Sequence, residues 1–297
     1  MASLSRIAIV KTDNRAHGIR KAVDLLDIGN TASGKSVFIK PNLNTADPFP
    51  ASTHPETLET IITLVKEMLP ISVTIGDRSG PADTAEVMRK LGIPEICRRQ
   101  GVGLMNLEEL PANMWERVRP AGTHWSDGFL FARPVMEAGC VITTCCLKTH
   151  GFGGVFTMSL KLSIGAVHGD NMSELHTSFR SMRKMIAEVN TSYTPSLIIM
   201  DAMDAFTDKG PMNGPIKHPG LIVAGSDRIA MDAVGLAILK DLGSNKAVMD
   251  TPIFLQEQIA RAVELGLGAS SPSGIELVHN AEAAEAVSSI RAILDRG

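Results

Sequence analysis

Basic and imidazole side chains follow the apolar segments of this sequence at several points. Lys40 and Arg78 each come just after one such segment, and Lys148 and His150 come after another. Lysine and arginine bind carboxylate or phosphate groups through charge-assisted hydrogen bonds, and an imidazole moves protons near neutral pH. If the segments are parallel strands, their carboxyl ends meet at the edge where open α/β sheets bind ligands. The sequence therefore predicts an anion-binding site there, to which Asn42 adds an amide.

A glycine-rich stretch separates Lys148 from a second lysine, Lys161. Gly153 and Gly154 fall between a predicted strand and a predicted helix, where bare backbone amides can bind an anion at the helix N-terminus. Lys161 lies a turn or so into that predicted helix. A flexible turn with a solvated lysine is the alternative interpretation. We take both glycines as candidate substrate-binding residues and Lys161 as a candidate catalytic residue.

Two further residues, His176 and Arg180, are four positions apart and would share one face of a predicted helix. A divalent iron, nickel or zinc ion could be held by His150 and His176 with a carboxylate such as Asp201. Against this, the chain has no His-x-x-x-His pair, and a lone imidazole is usually a surface or core residue. Asp201 follows a predicted strand and is also a candidate to orient a catalytic base.

The elements that must position these residues alternate between short β-rich runs and helical patterns. Predicted strands cover 7–10, 37–39, 71–75, 130–134, 141–146, 197–200 and 221–223. Predicted helices cover 19–26, 54–64, 85–91, 94–99, 156–164, 174–189, 229–239, 253–265 and 284–294, and Ser226 or Asp227 is expected to cap the helix at 229. This order predicts one α/β domain over 1–297, with a mostly parallel sheet flanked by helices. The less regular segment 105–138 is expected to be a small cap or insertion.

Composition narrows the function classes. The chain has 297 residues, of which 44% are hydrophobic and 21% charged, so extensive disorder is excluded. A net charge of −3 provides no general attraction to nucleic acid, and the apolar runs are too short to span a bilayer. No signal peptide is evident, so we expect a cytoplasmic protein that acts on a small molecule. These features are compatible with a homo-oligomer.

The segment Gly29–Ser36 matches the phosphate-loop pattern G-x-x-x-x-G-K-[ST]. That loop requires a strand before it and a helix after it, and here the predicted order is reversed. We therefore expect a helix-to-strand turn and no bound nucleotide.

The four cysteines include no Cys-x-x-Cys pair. The adjacent pair Cys145-Cys146 suits neither zinc nor an iron–sulfur cluster, so we expect buried thiols and no cluster.

Several short motifs carry a family resemblance. They resemble, in order and over about residues 37–240, those of the domain of unknown function 362 family: Ile39-Lys40-Pro41-Asn42-Leu43, Thr53-His54-Pro55-Glu56, Lys148-Thr149-His150 with Ser159-Leu160-Lys161, Asp201 with Gly210-Pro211-x-x-Gly214, and Ser226-Asp227-x-x-Ala230-x-Asp232. The resemblance adds His54 as a candidate substrate-binding residue, and the histidine that follows the family's lysine-bearing helix matches His176. The ferredoxin-like segment of many members has no counterpart here.

A weaker resemblance, at the level of the fold, links the N-terminal half to the nickel-dependent lactate racemase family. In that family His and Lys side chains surround a small hydroxy acid, and the analogy with it is one of fold.

Together these features predict an enzyme that acts on a small carboxylate or phosphate metabolite by isomerase- or lyase-type chemistry. Lys40, Arg78 and Lys148 would bind the anion, assisted by Arg180, while His150 with Lys161 or His176 would carry protons. A non-catalytic carrier of an anion or a metal would use the same residues and remains the alternative.

Overall fold

The computed structural model describes residues 4–296. Its strands are β1 (Ser5–Lys11), β2 (Ser36–Lys40), β3 (Ser72–Asp77), β4 (Gly103–Asn106), β5 (Trp115–Val118), β6 (Phe129–Ala132), β7 (Cys140–His150), β8 (Val155–Phe156), β9 (Leu197–Phe206), β10 (Ile216–Lys217), β11 (Leu221–Gly225) and β12 (Ile275–His279). Its helices are α1 (Arg15–Leu26), α2 (Pro55–Glu67), α3 (Thr84–Lys90), α4 (Ile93–Gln100), α5 (Arg133–Met136), α6 (Ser159–Leu162), α7 (Asn171–Thr177), α8 (Met182–Val189), α9 (Arg228–Asp241), α10 (Lys246–Met249), α11 (Glu257–Glu264) and α12 (Ala284–Asp295).

One large mixed sheet has the strand order β12-β1-β11-β9-β7-β2-β3-β4. The five strands from β9 to β4 run parallel, as does β12 beside β1, whereas β11 runs antiparallel to both of its neighbours. The short strands β10 and β8 extend β9 and β7. The fold class predicted from the sequence is therefore confirmed. The carboxyl ends of β9, β7, β2 and β3 lie at one edge.

Helices cover both faces of the sheet because side chains alternate along each strand. In β1, Ala8 and Val10 pack with α1, α2 and α4 on one face, whereas Ile7 and Ile9 pack with α9, α11 and α12 on the other. The range 105–138 contains the hairpin β5–β6, a separate two-stranded sheet whose aromatic side chains pack against α8. Each helix described within residues 4–296 is too short or too polar to span a bilayer.

The turn between α1 and β2 contains the phosphate-loop letters. Gly29 and Gly34 adopt left-handed backbone conformations there, with φ of 56° and 65°, and Ser36 begins β2 directly. No helix follows Lys35, so its backbone amides do not form a phosphate cradle. The predicted helix-to-strand turn is confirmed.

Several predicted elements differ from the structure, among them the strand predicted over 197–200, which continues to Phe206, and the helix predicted over 253–265, which is a 3₁₀ turn followed by α11. The strand predicted to end at Cys146 continues to His150, because Lys148 still pairs with β9 after a bulge and His150 pairs with β8. The helix predicted over 156–164 is reduced to α6 and a 3₁₀ turn, because the chain first forms β8. The helix predicted over 174–189 is broken at 178–181, where the Ser178 carbonyl accepts the amides of Ser181 and Met182.

The cysteines agree with the expected buried thiols. All four are buried and free, and burial raises the pKa of Cys146 to about 11. The adjacent Cys145 also has a raised pKa for the same reason. Both therefore stay protonated at neutral pH and act as core side chains of β7.

The Asp227 carboxylate caps α9, as the sequence predicts. It accepts the amides of Ile229 and Ala230 at 2.8 and 2.9 Å and that of Ala269 at 2.6 Å. We predict that Asp227→Ala lowers the free energy of unfolding by about 2 kcal/mol, since it removes a cap and leaves the Ala269 amide unpaired. Urea denaturation measures this loss. The exposed neighbour Ser226 is the control, and an equal loss in Ser226→Ala would contradict the assignment of the cap.

Candidate active site

A cavity of about 660 Å³ opens at the carboxyl ends of β2, β3 and β7. It is enclosed by α6, α7 and the loop that follows β9. Its lining comprises Lys40, Asn42, Asn44, Asp77, Arg78, Gly80, Pro81, Lys148, His150, Phe152, Thr157, Lys161, Leu162, Ile164, Gly165, Met172, Ser173, His176, Thr177, Pro211 and Met212. Seven of the predicted site residues are thus brought together: Lys40, Asn42, Arg78, Lys148, His150, Lys161 and His176.

The last residues of β7 place two functional side chains in the cavity. Lys148 and His150 are two positions apart in one strand and so point to the same face. The side chain of Thr149 between them accepts the Gly210 amide at 3.2 Å. That bond, together with the 2.7 Å bond from the Gly151 amide to the Gly210 carbonyl, ties the loop after β9 to the end of β7.

Lys40 and Asp77 form a buried ion pair at the floor of the cavity. The Lys40 Nζ lies 2.6 Å from the Asp77 Oδ1, and Lys40 is only 1% exposed. Burial lowers the pKa of Lys40 and raises the pKa of Asp77, while the attraction between the two charges opposes both shifts. Gly165 packs directly on the pair, since a Cβ added there would lie 2.2 Å from the Asp77 Oδ1.

The Arg78 guanidinium is fixed by backbone carbonyls alone. It donates to the carbonyls of Val167 at 2.7 Å, Ser79 at 2.6 Å and Ile164 at 3.3 Å. Within residues 4–296 it has no carboxylate partner, and burial lowers its pKa. The group still carries its charge, because an arginine does not lose its proton in a protein.

Lys148 is also buried without an acidic partner among residues 4–296. It is 2% exposed, and its Nζ donates to the carbonyl of Ala51 in the loop between β2 and α2. The Asn42 side chain, which also lines the cavity, donates to the same carbonyl at 2.9 Å. Burial lowers the pKa of Lys148.

Lys161 is held in the cavity by the anchoring of its short helix, α6. The buried Asp232 carboxylate of α9 accepts the amides of Ser159 at 2.7 Å and Leu160 at 3.0 Å. Burial raises the pKa of Asp232 to about 7. The Lys161 amine itself forms no hydrogen bond or ion pair within the described residues, and burial with the nearby charge of Lys148 lowers its pKa to about 8.

His150 is a neutral imidazole at ordinary pH. Burial lowers its pKa to about 2, with smaller contributions from the charges of Lys161 and Lys148. Its Nδ1 is buried and has no hydrogen-bond partner among residues 4–296. Gly154 packs on the ring, since a Cβ added there would lie 2.8 Å from that nitrogen. The Phe152 ring meets the imidazole edge-on at 5.9 Å.

The expected metal site lacks a complete set of ligands. His176 lies on the exposed side of the cavity, with its Nδ1 2.8 Å from the Met172 carbonyl. In the described part of the chain, no group of three or more His, Cys, Asp or Glu side chains is placed to hold a metal ion. Basic side chains in the same lining would also repel a cation. The cavity therefore does not fit a divalent ion bound by His150 and His176.

The glycine cradle predicted from the sequence is not formed. Gly153 and Gly154 lie in the turn of the β7–β8 hairpin and not at a helix N-terminus, and neither lines the cavity. The Gly153 carbonyl instead accepts a hydrogen bond from Arg183 at 2.7 Å. Arg180 follows the end of α7, is exposed, and shares no helix face with His176.

Two other predicted residues lie outside the cavity lining. His54 caps α2, where its Nδ1 accepts the Glu56 amide at 3.2 Å. Asp201 is in the middle of β9 because that strand continues to Phe206. Its carboxylate accepts hydrogen bonds from Arg15 of α1 at 2.9 Å and from Thr57 of α2 at 2.5 Å. These bonds connect α1 and α2 to the sheet.

The residues that the sequence did not single out are mostly apolar. The position of Asp77 could be predicted, since it follows a predicted strand and precedes Arg78, but nothing in the sequence predicted its pairing with Lys40. No sequence pattern predicted the apolar part of the lining, because its residues come from separate segments: Phe152, Leu162, Ile164, Met172, Pro211 and Met212.

The fold and the site define an α/β protein with a cavity lined by basic side chains at the carboxyl edge of its parallel strands. The chain belongs to the family described as a domain of unknown function (DUF362), whose family model matches residues 37–237. That range includes the whole cavity lining. No curated protein matches the chain.

Among solved structures, the apoprotein of the lactate racemase from Thermoanaerobacterium thermosaccharolyticum is similar to this chain. The TM-score is 0.44 and the sequence identity 15%, over 74% of this chain and 54% of that one. The match therefore spans about half the length of the racemase. Nothing about activity follows from this likeness.

The position of Asp201 predicts a structural role. Asp201→Asn should lower the free energy of unfolding by about 2 kcal/mol, because it disrupts a pair whose carboxylate is 1% and whose arginine is 16% exposed. Phosphate binding, measured by calorimetry at a temperature where the variant is folded, should be unchanged. Asp204→Asn is the matched control, since Asp204 pairs at the surface with His218 and should contribute little. Loss of phosphate binding in Asp201→Asn with unchanged stability would contradict this role.

Proposed function

We propose that the protein is an enzyme that binds a small carboxylate- or phosphate-bearing metabolite in this cavity and abstracts a proton from a carbon beside a carboxylate. Such a reaction is of isomerase or lyase type. The anion supplies the negative charge that the cavity lacks, and the neutral amine of Lys161 beside it accepts the proton.

One observation carries the proposal, which is the excess of positive charge in the lining. Four basic side chains line the cavity, and Asp77 is the single acidic one. Asp77 is already committed to Lys40, so Arg78, Lys148 and Lys161 are left without a carboxylate among the described residues. Buried charges need partners, and a bound anion is the partner that this arrangement favours.

The free donors are suited to an anionic group. Arg78 has five N–H donors, of which three are used by carbonyls, so two remain. Lys148 uses one donor on the Ala51 carbonyl. Lys161 uses none on the described residues. Donors held by the protein in a buried site need little reorganisation when negative charge develops on a substrate, which is how such groups stabilise an enolate-like transition state.

Lys161 is the best-suited base in the cavity. With its pKa lowered to about 8, a useful fraction of its amine is neutral near physiological pH. His150 has a pKa of about 2 and is therefore a weaker base, better suited to a hydrogen bond with a neutral group of the substrate. Proton transfer is thus assigned to Lys161, and orientation of the substrate to His150.

Loss of one binding cation should weaken anion binding. We predict that Lys148→Met reduces the affinity for phosphate and for short carboxylates by about 10- to 100-fold, which corresponds to about 1.5–3 kcal/mol for a hydrogen bond to a charged group. Calorimetry with each anion measures the effect. The exposed Lys35 of the phosphate-loop segment is the matched control, and Lys35→Ala should bind as the wild type does. Equal affinities in Lys148→Met and wild type would remove Lys148 from the site.

The pH dependence distinguishes a base from a binding cation at Lys161. We predict that kcat/KM for exchange of a substrate C–H proton with deuterium, followed by NMR, rises with pH and levels off above about pH 8, as the Lys161 amine becomes neutral. The affinity for the anion should fall over the same range, because the ammonium charge is lost. Lys161→Arg should bind without exchange. A rate that falls above pH 8 would show that Lys161 acts only as a cation.

The carrier alternative gives a different result at His150. If the protein is an enzyme, His150→Ala should lose proton exchange while it retains anion binding. A carrier would show no exchange in the wild type, and His150→Ala would alter only its affinity.

A further inference from the structure

The cavity has two chemically different parts. Its charged groups lie at the buried floor, where Lys40, Arg78 and Lys148 are each less than 10% exposed. Its walls and rim are largely apolar, formed by Leu162, Ile164, Met172, Pro211 and Met212 together with the ring of Phe152. A single anionic group of a ligand is sufficient to pair with the basic side chains of the floor. Most of the remaining cavity surface has no charged side chain to contact a ligand.

The cavity is also large for a short acid. Its volume of about 660 Å³ is equal to that of roughly twenty water molecules in the liquid. A three-carbon hydroxy acid has six non-hydrogen atoms and would leave most of this space, including the apolar walls, in contact with water. Pockets of this size ordinarily bury ligands several times larger.

Phe152 marks the outer end of the apolar part. It is 62% exposed at the tip of the β7–β8 hairpin, yet it lines the cavity and its ring meets His150 edge-on. An aromatic ring so placed can be covered by a ligand that extends outward from the floor. A second anionic group at this level would be desolvated against apolar side chains, which is unfavourable.

We infer that the ligand is an amphipathic anion, with one carboxylate or phosphate group at the basic floor and an apolar body of about six or more carbons against the walls and Phe152. This inference rests on the proposed anion site and specifies its substrate class. Transfer of the apolar body out of water contributes to the binding affinity, and the basic side chains of the floor fix the orientation of the ligand.

A chain-length series tests the inference. Calorimetry would compare straight-chain carboxylates from acetate to decanoate, and the matching alkyl phosphates, all below their micelle concentrations. Each added methylene should improve the affinity by about fourfold until the cavity is filled. 3-Phenylpropionate placed in the same series indicates whether the apolar body is aromatic or aliphatic, and a gain over acetate with either supports the inference. Equal affinities for acetate and octanoate would overturn it.

Variants test whether the gain in affinity with chain length arises at the apolar wall. Phe152→Ser and Met212→Ser should lower the affinity for octanoate about five- to tenfold and leave that for acetate unchanged. Phe179 is the matched control, because it is 75% exposed in the 178–181 turn and does not line the cavity. Two results would show non-specific binding and contradict the inference. One is that Phe179→Ser lowers the affinity for octanoate as much as Phe152→Ser does. The other is that Lys148→Met leaves the affinity for octanoate unchanged.

The two proposals fail in different ways. If acetate and phosphate bind and longer chains bind no better, the anion site stands and the amphipathic ligand is refuted. If no anion of either series binds, the proposed function itself fails.

Discussion

The Asp77 carboxylate organises the edge of the sheet on which the candidate site depends. It accepts the Lys40 ammonium at 2.6 Å and the backbone amides of Leu43 and Arg78, each at 2.8 Å. These bonds join the end of β2, the loop after it and the end of β3. Because the carboxylate is used for this purpose, it does not neutralise the other cations nearby. The requirement for a stable sheet edge thus leaves a buried region with unbalanced positive charge, which is the property that suits it to bind an anion.

The remaining parts of the cavity come from elements of different rigidity. Lys148 and His150 belong to a strand, whereas Lys161 depends on a four-residue helix that cannot be stable by itself. Its stability comes from buried polar contacts, in which Asp232 accepts the amides at its start and the Asn190 side chain donates to the Leu160 carbonyl at 2.9 Å. The apolar wall combines helix residues, Leu162 of α6 and Met172 of α7, with loop residues such as Met212. The charged floor is therefore the well-fixed part of the site, and the loop portion of the wall is the part that can vary without loss of the fold.

Sequence reasoning succeeded where local pattern and topology act together. Lys40, Arg78 and Lys148 were identified because polar residues after apolar runs indicate strand ends, and parallel strand ends converge. The same rule failed for Asp201, because polar residues do not always end a strand and β9 continues beyond it. Helix periodicity failed for the pair His176 and Arg180, since a break at 178–181 separates them. In each failure a long-range pairing or a local turn overrode the periodicity.

The sequence by itself determined the α/β class, the order of most strands and helices, and the presence of basic side chains at converging strand ends. It did so because side-chain alternation, helix capping and strand-end polarity are local properties of the chain. Only the tertiary structure decided that Asp77 pairs with Lys40 while Asp201 pairs with Arg15. It likewise decided that Gly154 packs on His150, and that separate apolar segments form one wall. The ion pairs and the apolar wall depend on contacts between residues far apart in the chain, and the contact of Gly154 with His150 depends on the tight turn between β7 and β8; spacing alone encodes neither.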